Sequence, residues 1–188
     1  MRSGAQLDVF GTLKLKHRHM AGPRPLYWIN QFAGGSLAIM AAPRPAEQFE
    51  AIILDWKDEG VDVIVSLLEE SEVPGLTEAE RSLCEEIGVE FFSFPVRDKT
   101  VPDSADTLAV IARRLADRIV AGKSVAIHCR AGIGRSTTLA ACVLILLGVE
   151  GDVALDMIAA ARGLEVPETE AQRQWVLGFS QAARLGSA

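Results

Sequence analysis

Residues 25–188 predict an α/β domain with a central, mainly parallel sheet of four to five strands flanked by helices. Three observations predict it. Short continuous apolar runs such as "VDVIVSLL" (61–68) and "SVAIH" (124–128) have the character of strands buried on both faces. Segments with apolar residues at helical spacing lie between them. The two kinds alternate along the chain, the order that crossovers between parallel strands require.

Taken in order, "LYWIN" (26–30) and "SLAIMA" (36–41) are β-type runs joined through Gly34-Gly35, which predicts a hairpin. Pro45 opens a helix with Phe49, Ile52, Ile53 and Trp56 on one face, closed near Gly60. The buried strand 61–68 follows. Thr77 and Glu80 have the spacing of a capping box for a helix that ends at Gly88. "VEFFSF" (89–94) is the next strand. Asp103, after Pro102, is placed to cap a helix over 104–121 whose Leu108, Ile111, Leu115 and Ile119 share a face. The strand 124–128 leads into a helix over 134–147, and two more helices fall near 151–162 and 167–184. No internal repeat is present.

Length and composition fit one soluble domain: 188 residues, 49% hydrophobic and 23% charged. Charge is unevenly spread. Residues 1–24 carry five Lys/Arg and one Asp, which leaves 14 Lys/Arg against 24 Asp/Glu in the remainder. We read 1–24 as a solvated tail, with the basic "KLKHRH" (14–19) the part able to touch an anionic partner, and 25–188 as the functional domain. An acidic body argues against nucleic-acid binding. Cys84, Cys129 and Cys142 are odd in number and widely spaced, which suggests neither a disulfide framework nor a zinc site and fits a reducing, cytoplasmic setting. The longest apolar stretch, "TLAACVLILLGV" (138–149), falls short of the roughly 20 residues that span a bilayer and reads as a buried helix.

The chemistry concentrates in "SVAIHCRAGIGRSTT" (124–138). Gly132 and Gly134 permit backbone conformations that aim successive N–H groups into one concavity. The helix that follows adds its free N–H groups and the positive end of its dipole, so the loop Arg130, Ala131, Gly132, Ile133, Gly134 forms an anion cradle. Arg135 can fold back over it with a planar fork for two anion oxygens. Cys129 sits at its floor, where such surroundings lower a thiol pKa to roughly 3.5–7.5. A thiolate under a bound phosphate suits attack on phosphorus through a cysteinyl-phosphate. Ser136 can donate to the sulfur and help it leave, and His128 orders the loop through backbone hydrogen bonds. The amides and Arg135 supply the charge stabilisation, so the mechanism calls for no metal or cofactor.

"HCRAGIGRS" (128–136) resembles the His-Cys-x-x-Gly-x-x-Arg-Ser/Thr signature of the cysteine-dependent protein tyrosine phosphatases. The likeness extends over about residues 26–180 and is nearest to compact dual-specificity and bacterial members. It implies their fold and a phosphomonoester hydrolase. Expelling an alkoxide or phenolate also needs a carboxylic acid on a movable loop. "FPVRDKTVPDS" (94–104) resembles the Pro-x-x-Asp…Pro loop of the cyclin-dependent-kinase-inhibitor-associated type, which implies Asp98 as the acid and leaves Asp103 as the competitor. "VPETEAQ" (166–172) is similar to the stretch that positions the hydrolytic water in larger members. Gln172 matches there, Glu168 departs, and Thr169 with Gln172 equally spell a capping box.

The expected substrate is a phosphorylated protein or peptide, on tyrosine and also on serine or threonine. Two alternatives stand beside it. One is a phosphoinositide or inositol-phosphate phosphatase, which the single charged loop residue Arg130 weakens. The other is a non-catalytic phosphate-binding module.

Overall fold

The computed structural model describes residues 25–31, 34–43 and 48–185. The expected tail, its basic stretch and Pro45 lie outside them. A hairpin comes first, β1 (Tyr27–Gln31) antiparallel to β2 (Ser36–Ala41), followed by α1 (Phe49–Asp58). Then come β3 (Val63–Ser66), α2 (Leu76–Ile87), β4 (Glu90–Ser93), α3 (Ala105–Val120) and β5 (Ser124–Cys129). Three helices close the chain: α4 (Arg135–Leu146), α5 (Gly151–Arg162) and α6 (Glu170–Leu185).

The five strands run in the order β1-β2-β5-β3-β4, and every pairing except β1–β2 is parallel. The strand β5 therefore stands in the middle, its register pairing Cys129 with Ala41 and His128 with both Met40 and Ser66. Side-chain alternation sends Val125, Ile127 and Cys129 into the core shared with α3–α6. Ala126 points the other way, to Ile53 and Trp56 of α1 and Cys84 of α2. Asp62 ties the strand bases together, accepting from the Ser124 N–H and from Lys123 Nζ, each at 2.9 Å.

The helix α4 is buried from Arg135 to Ile145, which is why its sequence reads as apolar all round. Among the described residues no helix is long and apolar enough to cross a membrane.

Two expected caps are corrected. The helix α2 starts after Gly75 with no side-chain cap, because Glu80 turns inward and is fully buried. The cap of α3 is Ser104, whose hydroxyl accepts from the Thr107 N–H at 3.3 Å, and Asp103 stays exposed outside it. The last helix begins at Glu170, three residues later than expected.

Candidate active site

The loop 130–134 turns β5 into α4 at the carboxyl end of the central strand, where parallel sheets open their ligand crevices. Its two glycines serve different needs. Gly132 has φ +67°, and a Cβ there would lie 2.6 Å from the Met40 carbonyl carbon and oxygen. Gly134 has an ordinary φ of −87°, so the expected conformational reason does not apply to it. A Cβ there would instead meet Gln172 Nε2 and Oε1 at 2.9 Å and Glu168 Cβ at 3.1 Å.

Arg162, at the end of α5, holds the loop from outside. Its Nε donates to the Gly132 carbonyl at 3.0 Å and its Nη2 to the Ala131 carbonyl at 3.2 Å, with the guanidinium 4.0 Å over the Tyr27 ring. A trans peptide points its N–H opposite to its C=O, so this anchoring turns the N–H groups of Gly132 and Ile133 away from α5, into the loop. Arg130 and Ala131 are exposed at the rim, and Ile133 is half-buried.

Arg135 is the hub. Its fork is clasped by Glu72, with Nη1 donating to Oε2 at 2.6 Å and Nη2 to Oε1 at 2.9 Å. Nη1 also donates to the Val96 carbonyl at 2.9 Å, and Nη2 lies 2.9 Å from Asp98 Oδ1. Burial works against this charge, but hydrogen bonds to Glu72 and the charges of Cys129, Glu72 and Asp98 hold it above its ordinary value. Burial likewise pushes Glu72 up. The Arg135 hydrogen bonds, the Glu69 N–H and the Arg135 and Arg130 charges outweigh that and keep its carboxyl below the usual range.

Cys129 Sγ lies 3.5 Å from Ser136 Oγ, and both residues are buried. The Cys129 carbonyl accepts from Ala42 at 2.8 Å and the His128 carbonyl from Leu67 at 3.0 Å, which fixes the end of β5 against its neighbours. The His128 imidazole, however, faces away from the loop, 2.9 Å from Glu80 Oε1.

Of the two candidate acids, the structure brings Asp98 to Arg135 and leaves Asp103 exposed. Lys99, the next residue, has φ +58°, an uncommon conformation for a lysine that turns the loop sharply. The turn is fastened to the segment before α6: Lys99 Nζ approaches Glu168 Oε1 at 3.6 Å, and Gln172 Nε2 donates to the Thr100 carbonyl at 3.1 Å. Gln172 also completes the capping box, exchanging bonds of 3.2 Å with Thr169. The capping reading of Gln172 is thus present, in a side chain that also borders Gly134.

Glu72, Glu80 and Arg162 were not foreseen. A buried arginine calls for a counter-charge, and the acidic run after β3, "LLEESE" (67–72), was the available signal. Cys84 and Cys142 are free and buried on opposite faces of the sheet. Burial, with the Glu80 charge, pushes the Cys84 thiol up to about 12, and burial alone raises Cys142 well above its ordinary value.

The family described as Swiss Army Knife protein, DSP-PTPase phosphatase domain, matches residues 23–179. Among curated proteins none matches the chain. The crystal structure of Tk-PTP in its active form is 30% identical, with TM-score 0.65 over 80% of this chain and 95% of that one. Kinase associated phosphatase, solved with its catalytic cysteine replaced by serine, superposes at TM-score 0.71 with 21% identity, over 87% of this chain and 97% of its own. PTPMT1 in complex with PI(5)P gives TM-score 0.65 at 20% identity, covering 85% and 97% of the two chains. The latter two share the fold. With its family matched over nearly the whole described chain, this protein belongs to the dual-specificity-type cysteine phosphatases.

Proposed function

We propose that the domain hydrolyses phosphomonoesters of proteins, phosphotyrosine first and phosphoserine or phosphothreonine also, through a cysteinyl-phosphate. The observation that carries this reading is the convergence on Arg135 of Asp98 and Glu72 beside the Cys129–Ser136 contact. In the first step Cys129 Sγ attacks phosphorus as a thiolate. The P–O bond to the leaving group breaks, and Asp98 gives that oxygen its proton. The loop amides of residues 130–135 and the Arg135 fork take the charge of the transferring phosphoryl group. In the second step Asp98 takes a proton from water, water attacks phosphorus, and the S–P bond breaks with Ser136 donating to the departing sulfur. Gln172, with one Nε2 hydrogen committed to Thr100, has a second for the attacking water, and Glu168 holds Lys99 beside it.

The test is hydrolysis of p-nitrophenyl phosphate in EDTA by wild type, Cys129→Ser and Asp98→Asn. Turnover that Cys129→Ser abolishes supports the reading. A wild type that binds vanadate yet never turns over replaces it with a binding module. A phosphoinositide substrate is the second reading, favoured by the exposed cations Arg130, in the loop itself, and Arg97 and Lys99, which flank Asp98. Phosphopeptide and phosphoinositide panels separate the two.

A further inference from the structure

A second charged cluster lies behind the nucleophile, on the opposite face of β5. His128 points to the α1–α2 side, as alternation from Cys129 requires, and its Nε2 lies 2.9 Å from Glu80 Oε1 with both side chains wholly buried. This close approach lies off the line of a hydrogen bond, and neither side chain takes a hydrogen-bond partner among the described residues. The surroundings are Trp56 of α1, with ring centroid 6.4 Å from the imidazole, the buried Ser66 of β3, Met40 of β2, and Cys84 one turn along α2. Among the described residues Arg135 is the only buried Arg or Lys, and it is engaged by Glu72 and Asp98.

An ionised carboxylate at zero exposure is costly without a partner, and His128 is the group placed to supply the positive charge. On the other face the charges bearing on Cys129 are Arg135, with Glu72 and Asp98 behind it, and Arg130, which reaches Glu72. We propose that Glu80 is a positioning residue for the nucleophile: it holds the His128 imidazolium behind Cys129. The signs then alternate through Glu80, His128, Cys129, Arg135 and Glu72. The series favours the thiolate from both sides, and the Nε2 contact sets the carboxylate beyond the ring as seen from the strand. It rests on Cys129 being the nucleophile.

The experiment follows the pH dependence of Cys129 alkylation by iodoacetate in wild type, Glu80→Gln, Glu80→Asp, His128→Asn and the Glu80→Gln/His128→Asn double variant. Cys129→Ser serves as the blank. Alkylation reads the thiolate without turnover, so failure on phosphomonoesters and failure of this coupling are distinct results. Glu80→Gln should raise the midpoint by about one pH unit. Glu80→Asp should restore most of the shift, and the double variant should move no further than His128→Asn. An unmoved midpoint in a cooperatively melting Glu80→Gln protein, or single shifts that add in the double, overturns the proposal. If Glu80→Gln does not fold, the carbon-13 shifts of His128 in wild type decide. An imidazolium near neutral pH supports it, and a neutral ring overturns it.

Discussion

Glu72 meets Arg135 end-on, two carboxylate oxygens against two guanidinium nitrogens at 2.6 and 2.9 Å. The pair spans 63 residues of sequence and sets the plane of the fork that an incoming phosphate must match. Glu72→Gln keeps the shape and loses the charge. We expect kcat/KM to fall about 10- to 100-fold. Stability should drop by about 3 kcal/mol, because an arginine only 2% exposed is left short of its counter-charge. Steady-state kinetics and urea unfolding read the two effects separately.

Asp98 shares that fork. Its carboxylate lies on Arg135 Nη2 at 2.9 Å, where a bound anion also needs the nitrogen. Asp98→Asn should therefore bind vanadate about 5-fold more tightly, roughly 1 kcal/mol, while losing turnover. The loss should be greater for an alkyl phosphate than for p-nitrophenyl phosphate, whose leaving group scarcely needs a proton. Equal losses on both esters would remove Asp98 as the acid.

Gly132 and Gly134 should respond differently to a methyl group. Gly134→Ala drives a Cβ into the Gln172 amide, a side chain that can be cut back. We expect a cost of about 1–3 kcal/mol. A Gly134→Ala/Gln172→Ala double variant should recover part of it relative to the sum of the singles. Gly132→Ala meets Met40 backbone at φ +67°, and no side-chain truncation should rescue it. Thermal melts of the four variants check both statements.

Acid should loosen the fold through carboxylates held below their ordinary values. Burial pushes Glu72 and Asp62 up, but Arg135 in the first case and the Ser124 N–H with Lys123 in the second outweigh it. Glu90 is lowered by the two-pronged hydrogen bond from Arg118. A carboxyl lower in the folded than in the unfolded chain stabilises above its unfolded value, and that contribution is lost as pH falls through the folded value. Tm should therefore hold near neutrality and decline below about pH 4.5, the ordinary glutamate value. In Glu72→Gln the decline should be shallower. Melts across a pH series settle the sign.

Much of this was legible in the sequence for a physical reason. Parallel strands buried on both faces leave unbroken apolar runs: β3 falls inside the run 61–68, and β5 covers 124–128 and continues by one residue to Cys129, while the half-buried β4 falls inside 89–94. The loop from Cys129 to Arg135 was legible because one contiguous segment carries its geometry. The caps were less so. A threonine followed three residues later by a glutamate suits a capping box at 77–80, but the pull of His128 on Glu80 comes from 48 residues away, beyond any local pattern. Asp103 and Ser104 are equally good cap residues on propensity, and only the helix start separates them. Arg162 reaches loop carbonyls 30 and 31 residues back, a contact that depends on where α5 lands.

The strand order carries one more consequence. Cys129 ends β5, a strand paired on both sides and sealed beneath helices, whereas the loop carrying Asp98 hangs from β4 at the sheet's edge with only β3 beside it. Amide protons of β5 should exchange only when the whole domain unfolds, and those of β4 through smaller openings. Cys129 is thus rooted in the part of the sheet expected to exchange slowest, and Asp98 in a loop that leaves its edge strand. On the proposed mechanism, the sheet places the nucleophile at its centre and the acid at its edge.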